Sequence, residues 1–168
     1  MHREYDLSAV NVLVVEDSDF MRSLMADILD ALSVGTVVTA TNGEEAKGHI
    51  EASGDGTGVV FDIVFSDWAM EPVSGIELLN WVREHPNPDV QFIPFIMVSA
   101  YSTLEWVIDA RDDGVTEFLT KPVSVKTIVA RLTSVIEKPR AFVKAAGYFG
   151  PDRRRRDIPF DGQDRRKR

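Results

Sequence analysis

Five polar side chains in this sequence follow short apolar runs and have the chemistry to handle a phosphoryl group. Glu16 and Asp17 follow Val10–Val15, and Asp67 follows the run from Val59 to Ser66. Ser99 follows Phe92–Val98, and Lys121 comes just after Val115–Leu119. Three carboxylates, one hydroxyl and one ammonium make a coherent set if the fold gathers them. Clustered carboxylates repel one another and keep their charge only beside a cation. Mg²⁺ suits such a place, being hard and partial to carboxylates together with phosphate oxygens. Asp17 and Asp67 are candidate direct ligands, and the longer Glu16 a ligand through water. An Asp carboxylate is also a nucleophile toward phosphorus, giving an aspartyl phosphate. Transfer then needs positioning and neutralisation of the equatorial oxygens, for which Lys121 and Ser99 are suited. Singly, each is the polar residue expected where a strand meets a wet loop. All five together point to a site.

The elements that must position them are legible in the hydropathy pattern. Five short apolar runs read as strands at Val10–Val15, Thr36–Ala40, Val59–Ser66, Phe92–Val98 and Val115–Leu119. Their continuous apolarity suits strands buried on both faces. Helical spacing follows each. Phe20, Met21, Leu24, Met25, Ile28, Leu29 and Leu32 mark one apolar face after a Ser18 cap. Glu44–Ala52, Gly75–Glu84 and Thr103–Asp113 are predicted helices, and Ser124 caps a last one that ends at Pro139. Five strand–helix units predict an α/β fold, a doubly wound five-stranded parallel sheet. Sites in such folds lie outside the carboxyl ends of the strands, where the five polar groups stand.

Composition bounds the rest. The chain has 168 residues, which predicts one main domain. It has no cysteine, which excludes disulfides, thiolate metal sites and thiol nucleophiles. No apolar run is long enough to span a membrane and the N-terminus lacks a signal-peptide core, so a cytoplasmic location is expected. His2, His49 and His85 are scattered without metal-ligand spacing. The net charge of −8 is uneven: residues 140–168 hold 10 basic and 4 acidic side chains, against 9 and 23 in residues 1–139. The acidic body argues against DNA binding. The sequence thus divides into an acidic body, 8–139, and a flexible, arginine-rich basic C-terminal tail, 140–168.

The segments LVVED (13–17), VFSDWAM (64–70), Gly75, MVSAY (97–101) and FLTKPV (118–123) resemble a flavodoxin-like CheY-type receiver domain of a bacterial response regulator, over about Val10 to Pro139. The resemblance implies a two-component phosphorelay in which a histidine kinase or phosphotransfer protein phosphorylates Asp67. It implies a Mg²⁺ site of Glu16, Asp17, Asp67 and the Ala69 main-chain carbonyl. Ser99 becomes the switch hydroxyl, Phe118 the switch aromatic and Lys121 the phosphate-contacting lysine, with a cis Lys121–Pro122 bond. Phe118 also reads as a plain core aromatic. The implied output is contact with a downstream protein target, with no enzymatic activity beyond autocatalytic phosphoryl acceptance and aspartyl-phosphate hydrolysis. A phosphatase using Asp67 is disfavoured, since Ala69 stands where a second acid would be needed. The acidic pair is Glu-Asp rather than Asp-Asp, and Pro72 falls one place late.

The tail repeats an aromatic, turn residues, Asp and four basic residues, at 149–156 and again at 160–168. It reads as a solvated basic tail, as an electrostatic anchor for nucleic acid or anionic lipid, or as a guanine nucleotide ligand. Arginine forks bind guanine edges and phosphates bidentately. The tail resembles that of arginine-rich CheY-like proteins that bind cyclic di-GMP and act on the flagellar motor or on attachment. By that resemblance Arg153, Arg154, Arg155, Arg156, Arg165, Arg166 and Arg168 would hold the nucleotide.

Overall fold

The computed structural model describes residues 5–100 and 103–153. The chain runs β1 (Asn11–Val15), α1 (Asp19–Ala31), β2 (Thr36–Ala40), α2 (Gly43–Gly54), β3 (Ile63–Asp67) and α3 (Gly75–Glu84). It continues through the short α4 (Pro88–Gln91), β4 (Phe95–Ser99), α5 (Leu104–Asp112), β5 (Glu117–Thr120) and α6 (Val125–Glu137). It then adds β6 (Phe142–Ala145) and β7 (Tyr148–Pro151). The five main strands are all parallel, in the order β2-β1-β3-β4-β5. This is the predicted α/β fold, of the flavodoxin and CheY type. The strand order reverses beside β1, and in such folds ligands bind at the carboxyl edge there.

Burial on both faces explains why these strands read as unbroken apolar runs. Every residue of β3 and β4 is buried. Alternate side chains go to opposite faces of a strand, and the core divides accordingly. Leu13, Val64, Phe95 and Met97 pack with Ile50, Leu78, Leu79 and Val82 from α2 and α3. Val14, Phe65, Ile96 and Val98 pack with Met25, Leu29, Ile128 and Leu132 from α1 and α6. Polar side chains start the helices. Ser18 accepts from the Met21 N–H, and Ser74 and Glu77 form a reciprocal capping box.

The strand ends differ from the sequence reading. β4 begins at Phe95 rather than Phe92, because Pro88 opens the turn of α4 and Phe92 closes it. β3 begins at Ile63 rather than Val59, and β5 at Glu117 rather than Val115. The sequence reading placed no strand after Pro139, and the structure adds one hairpin there. β6 and β7 pair antiparallel, and Gly147 takes the left-handed backbone conformation (φ 74°) that their turn requires. The hairpin is docked by its rings: Phe92, Phe142 and Phe149 have centroids 5.0–5.6 Å apart. Such edge and tilted aromatic packing adds to burial.

Candidate functional site

The parallel register brings the predicted groups to one edge. Val15 is level with Ser66, Asp67 with Val98, and Ser99 with Thr120. Glu16 and Asp17 therefore leave β1 beside Asp67, the last residue of β3. Ser99 ends β4 next to them. Lys121 leaves β5, and its N–H donates to the Ser99 carbonyl at 2.9 Å. The structure thus brings Glu16, Asp17, Asp67, Ser99 and Lys121 together.

Charge dominates this edge. Lys121 Nζ lies 3.0 Å from Glu16 Oε2 and 3.3 Å from Asp67 Oδ1. Glu16 and Asp67 are buried, whereas Asp17 is exposed. The Trp68 N–H donates to Asp67 Oδ1 at 2.9 Å, and the Ser18 N–H to Glu16 Oε1 at 3.2 Å. Burial pushes the Asp67 carboxyl up despite Lys121 and the Trp68 N–H, with the Asp17 charge adding to the rise. Burial likewise raises Glu16, against the hydrogen bond from Lys121 and with repulsion from Asp67. Burial alone would lower the Lys121 ammonium, but hydrogen bonds and charge from Glu16 and Asp67 outweigh it and raise it. Lys121 pairs with two of the three carboxylates, Glu16 and Asp67, and Asp17 lies beside them, so the cluster carries surplus negative charge.

That surplus is what a hard divalent cation would neutralise. One carboxylate oxygen each from Glu16, Asp17 and Asp67 lie within 4.8 Å of one another. An all-oxygen donor set with net negative charge fits Mg²⁺. Ala69, the predicted main-chain ligand, stands two residues after Asp67 and is exposed.

Gly75 holds the Asp67 turn closed. Its N–H donates to the Trp68 carbonyl at 2.8 Å, and a Cβ there would stand 2.0 Å from the Asp67 carbonyl oxygen. Backbone cannot yield as a side-chain tip can. Gly75→Ala is expected to lose about 1–3 kcal/mol by overpacking and to displace Asp67. Urea denaturation reads the first effect. Phosphoryl labelling reads the second.

Phe118 is half-buried against the core that contains Met97 and Met70. Both Lys121–Pro122 and Glu71–Pro72 are cis. Tyr101, which flanks the site in the sequence, lies outside the described residues. Trp68 follows Asp67, and Trp106 lies on α5. The structure joins them, with ring centroids 4.8 Å apart and planes at 80°. Nothing in their spacing announces that contact. Of the seven arginines assigned to a nucleotide, only Arg153 is among the described residues. It is ion-paired to Asp112 at 2.7 Å, with its guanidinium 4.5 Å from the Tyr148 ring centre. Arg154, Arg155, Arg156, Arg165, Arg166 and Arg168 lie outside them.

Known proteins share this fold. Chemotaxis protein CheY-3 of Vibrio cholerae is 28% identical over 129 residues, covering 77% of this chain and 93% of its own. Chemotaxis protein CheY of Pseudomonas aeruginosa is 25% identical over 129 residues, covering 77% and 98%. The solved structure of Vibrio cholerae CheY4 superposes with a TM-score of 0.67 at 27% identity, covering 75% of this chain and 98% of that one. A CheY from Borrelia burgdorferi, solved with CheX, beryllofluoride and magnesium, superposes with a TM-score of 0.64 at 29% identity, covering 76% and 89%. Among the described residues, no helix is long and apolar enough to cross a membrane. Residues 12–133 match the response regulator receiver domain, and the chain belongs to that family of two-component signalling proteins.

Proposed function

We propose that the protein accepts a phosphoryl group on Asp67 and signals by contact with a downstream protein. The observation that carries this is the buried Asp67 carboxylate facing Lys121 at 3.3 Å within a three-carboxylate cluster. The donor is a phosphohistidine of a histidine kinase or phosphotransfer protein. An Asp67 Oδ attacks phosphorus, the O–P bond forms, and the P–N bond breaks with its electron pair going to the imidazole nitrogen. Mg²⁺ held by Glu16, Asp17, Asp67 and the Ala69 carbonyl supplies neutralisation of the phosphoryl oxygens when bound. Lys121, fully charged at neutral pH, exchanges its contact with Asp67 for one with a phosphoryl oxygen. The Ser99 hydroxyl, at the end of the neighbouring strand, turns toward that group, and Phe118 follows into the space left behind. The relatives support this reading, since one was solved with beryllofluoride and magnesium. No further enzymatic activity is assigned.

Acetyl phosphate with Mg²⁺ is expected to label the wild-type protein and not Asp67→Ala. Labelling that persists in the variant overturns the assignment. Chelation is expected to abolish the wild-type label. The cyclic di-GMP reading rests on the tail sequence and gains nothing from Arg153, whose guanidinium is already committed to Asp112. Calorimetric titration of the dinucleotide into the full chain tests it: no heat of binding removes it.

A further inference from the structure

We propose that the tail hairpin restrains α5 and is thereby coupled to the phosphoryl site. The proposal rests on Asp67 as the acceptor. α5 is weakly held: of its nine residues only Ala110 is buried, and Leu104 is 74% exposed. A helix with so little buried surface is positioned by its few specific contacts. Two of these stand at opposite ends. In its first half, Trp106 packs against Trp68, whose N–H holds Asp67 Oδ1. At its last residue, Asp112 Oδ1 accepts from Arg153 at 2.7 Å, with Arg111 Nε farther off at 3.7 Å.

Arg153 is not a loose side chain on that carboxylate. It stands two residues after the end of β7 and lies over Tyr148 of that strand. The hairpin is fastened to the turn between α5 and β5 as well. A Cβ at Gly114 would meet the Phe149 carbonyl at 2.9 Å, and one at Gly150 would meet the Gly114 Cα at 2.8 Å. Arg140 donates to the Thr116 carbonyl at 2.9 Å and to the Asp152 carbonyl. The hairpin thus grips both ends of the segment 112–116, while the other end of α5 rests on the residue after Asp67.

The sign follows from the site. Lys121 lies directly on Asp67 Oδ1, the arrangement of a free carboxylate. The coupling assigns the clamp to this arrangement and not to the phosphorylated one, so releasing the clamp favours the latter. Linkage makes the effect reciprocal: phosphorylation loosens Arg153. Whatever anion takes up Arg153 then favours phosphorylation.

The test titrates the full chain with Mg²⁺ and beryllofluoride, a phosphoryl analogue, and follows bound fluoride by ¹⁹F NMR at physiological salt. Arg153→Gln is expected to bind the analogue about two- to fivefold tighter, the range of an exposed ion pair. Simple Coulomb attraction predicts the reverse, since removing a positive charge weakens anion binding. In a Trp106→Ala background the same substitution is expected to make no difference. Unchanged or weaker binding by Arg153→Gln overturns the coupling, as does an equal gain without Trp106. A wild-type protein that does not bind the analogue overturns the Asp67 assignment and the coupling with it.

Discussion

Asp67→Asn is expected to be more stable than the wild-type protein at neutral pH while losing all phosphoryl acceptance. Burial raises both Asp67 and Glu16 above their ordinary values of 3.8 and 4.5. A carboxyl with a raised pKa in the folded state binds its proton more tightly there than in the unfolded chain. Stability from these two groups is therefore fully present below their unfolded values and is lost as pH rises through the raised ones. The cost of the ionised pair therefore grows as pH rises toward neutrality. Lys121 does not titrate in that window: its raised pKa means that its contribution is lost only in the alkaline range. Replacing Asp67 by an isosteric amide removes one buried charge and its repulsion with Glu16 and Asp17. The expected gain is about 1–2 kcal/mol, or roughly 2–8 °C in Tm for a chain of this size. Melts at pH 7.5 and pH 4 check it. The advantage is expected to be larger at the higher pH and to shrink at the lower one, as the wild-type carboxyl takes up its proton. A variant no more stable at pH 7.5 refutes the electrostatic account. Mg²⁺ is expected to narrow the gap from the other side, because it binds the native wild-type cluster; at a hundred times its Kd it adds about 2.7 kcal/mol. Loss of function with gain of stability separates a strained site from a damaged fold.

The same physics decides what the sequence disclosed. The sheet was legible because parallel strands buried on both faces read as unbroken apolar runs, as Val12–Val15 and Ile63–Phe65 do. The site was legible because each of its groups ends or just follows a strand, so strand order alone gathers them. Strand starts were less legible. Phe92 is as apolar as Phe95, and only Pro88 and Pro94 hint that the chain is still turning before β4. The hairpin escaped notice because its two strands have four residues each and lie in a basic, Gly-containing segment. Its stability comes from rings supplied at a distance, Phe92 above all. The Trp68–Trp106 contact was hidden for the same reason: the two lie on different elements, and no periodicity links them. Arg83 did leave a trace. Leu78, Leu79, Val82 and Arg83 follow the one-three-one spacing of a buried helical face, which places a guanidinium where a core side chain belongs.

Loss of Arg83 is therefore expected to cost the fold heavily. It is 3% exposed and has no carboxylate partner among its contacts. Burial lowers its pKa to about 9. What keeps it there is a set of oxygens. Nε donates to the Gly114 carbonyl at 2.9 Å, and Nη1 to the carbonyls of Gln91 and Ile93 at 2.8 and 2.7 Å. Its guanidinium also lies 4.9 Å from the ring centre of Phe142. One side chain thus joins α3, the end of α4, the approach to β4, the turn after α5 and the hairpin. Arg83→Leu keeps most of the apolar volume but leaves three carbonyls without their donor. Each buried unsatisfied group costs about 1–3 kcal/mol, and with sharing between neighbours the expected loss is about 3–5 kcal/mol, a large part of the roughly 5–15 kcal/mol that holds a domain together. Arg83→Lys is expected to fall between, since an ammonium cannot reproduce a planar fork on separate acceptors. Urea denaturation measures the loss as a lower midpoint. Hydrogen exchange locates it: Tyr148–Gly150 and Thr116 are expected to lose protection first, because the hairpin and the start of β5 share Arg83 as their anchor. Arg111→Leu, a substitution of the same chemistry at an exposed helical position, is expected to change stability by less than about 0.5 kcal/mol. Equal effects at the two positions would mean that the buried guanidinium contributes no more than a surface charge.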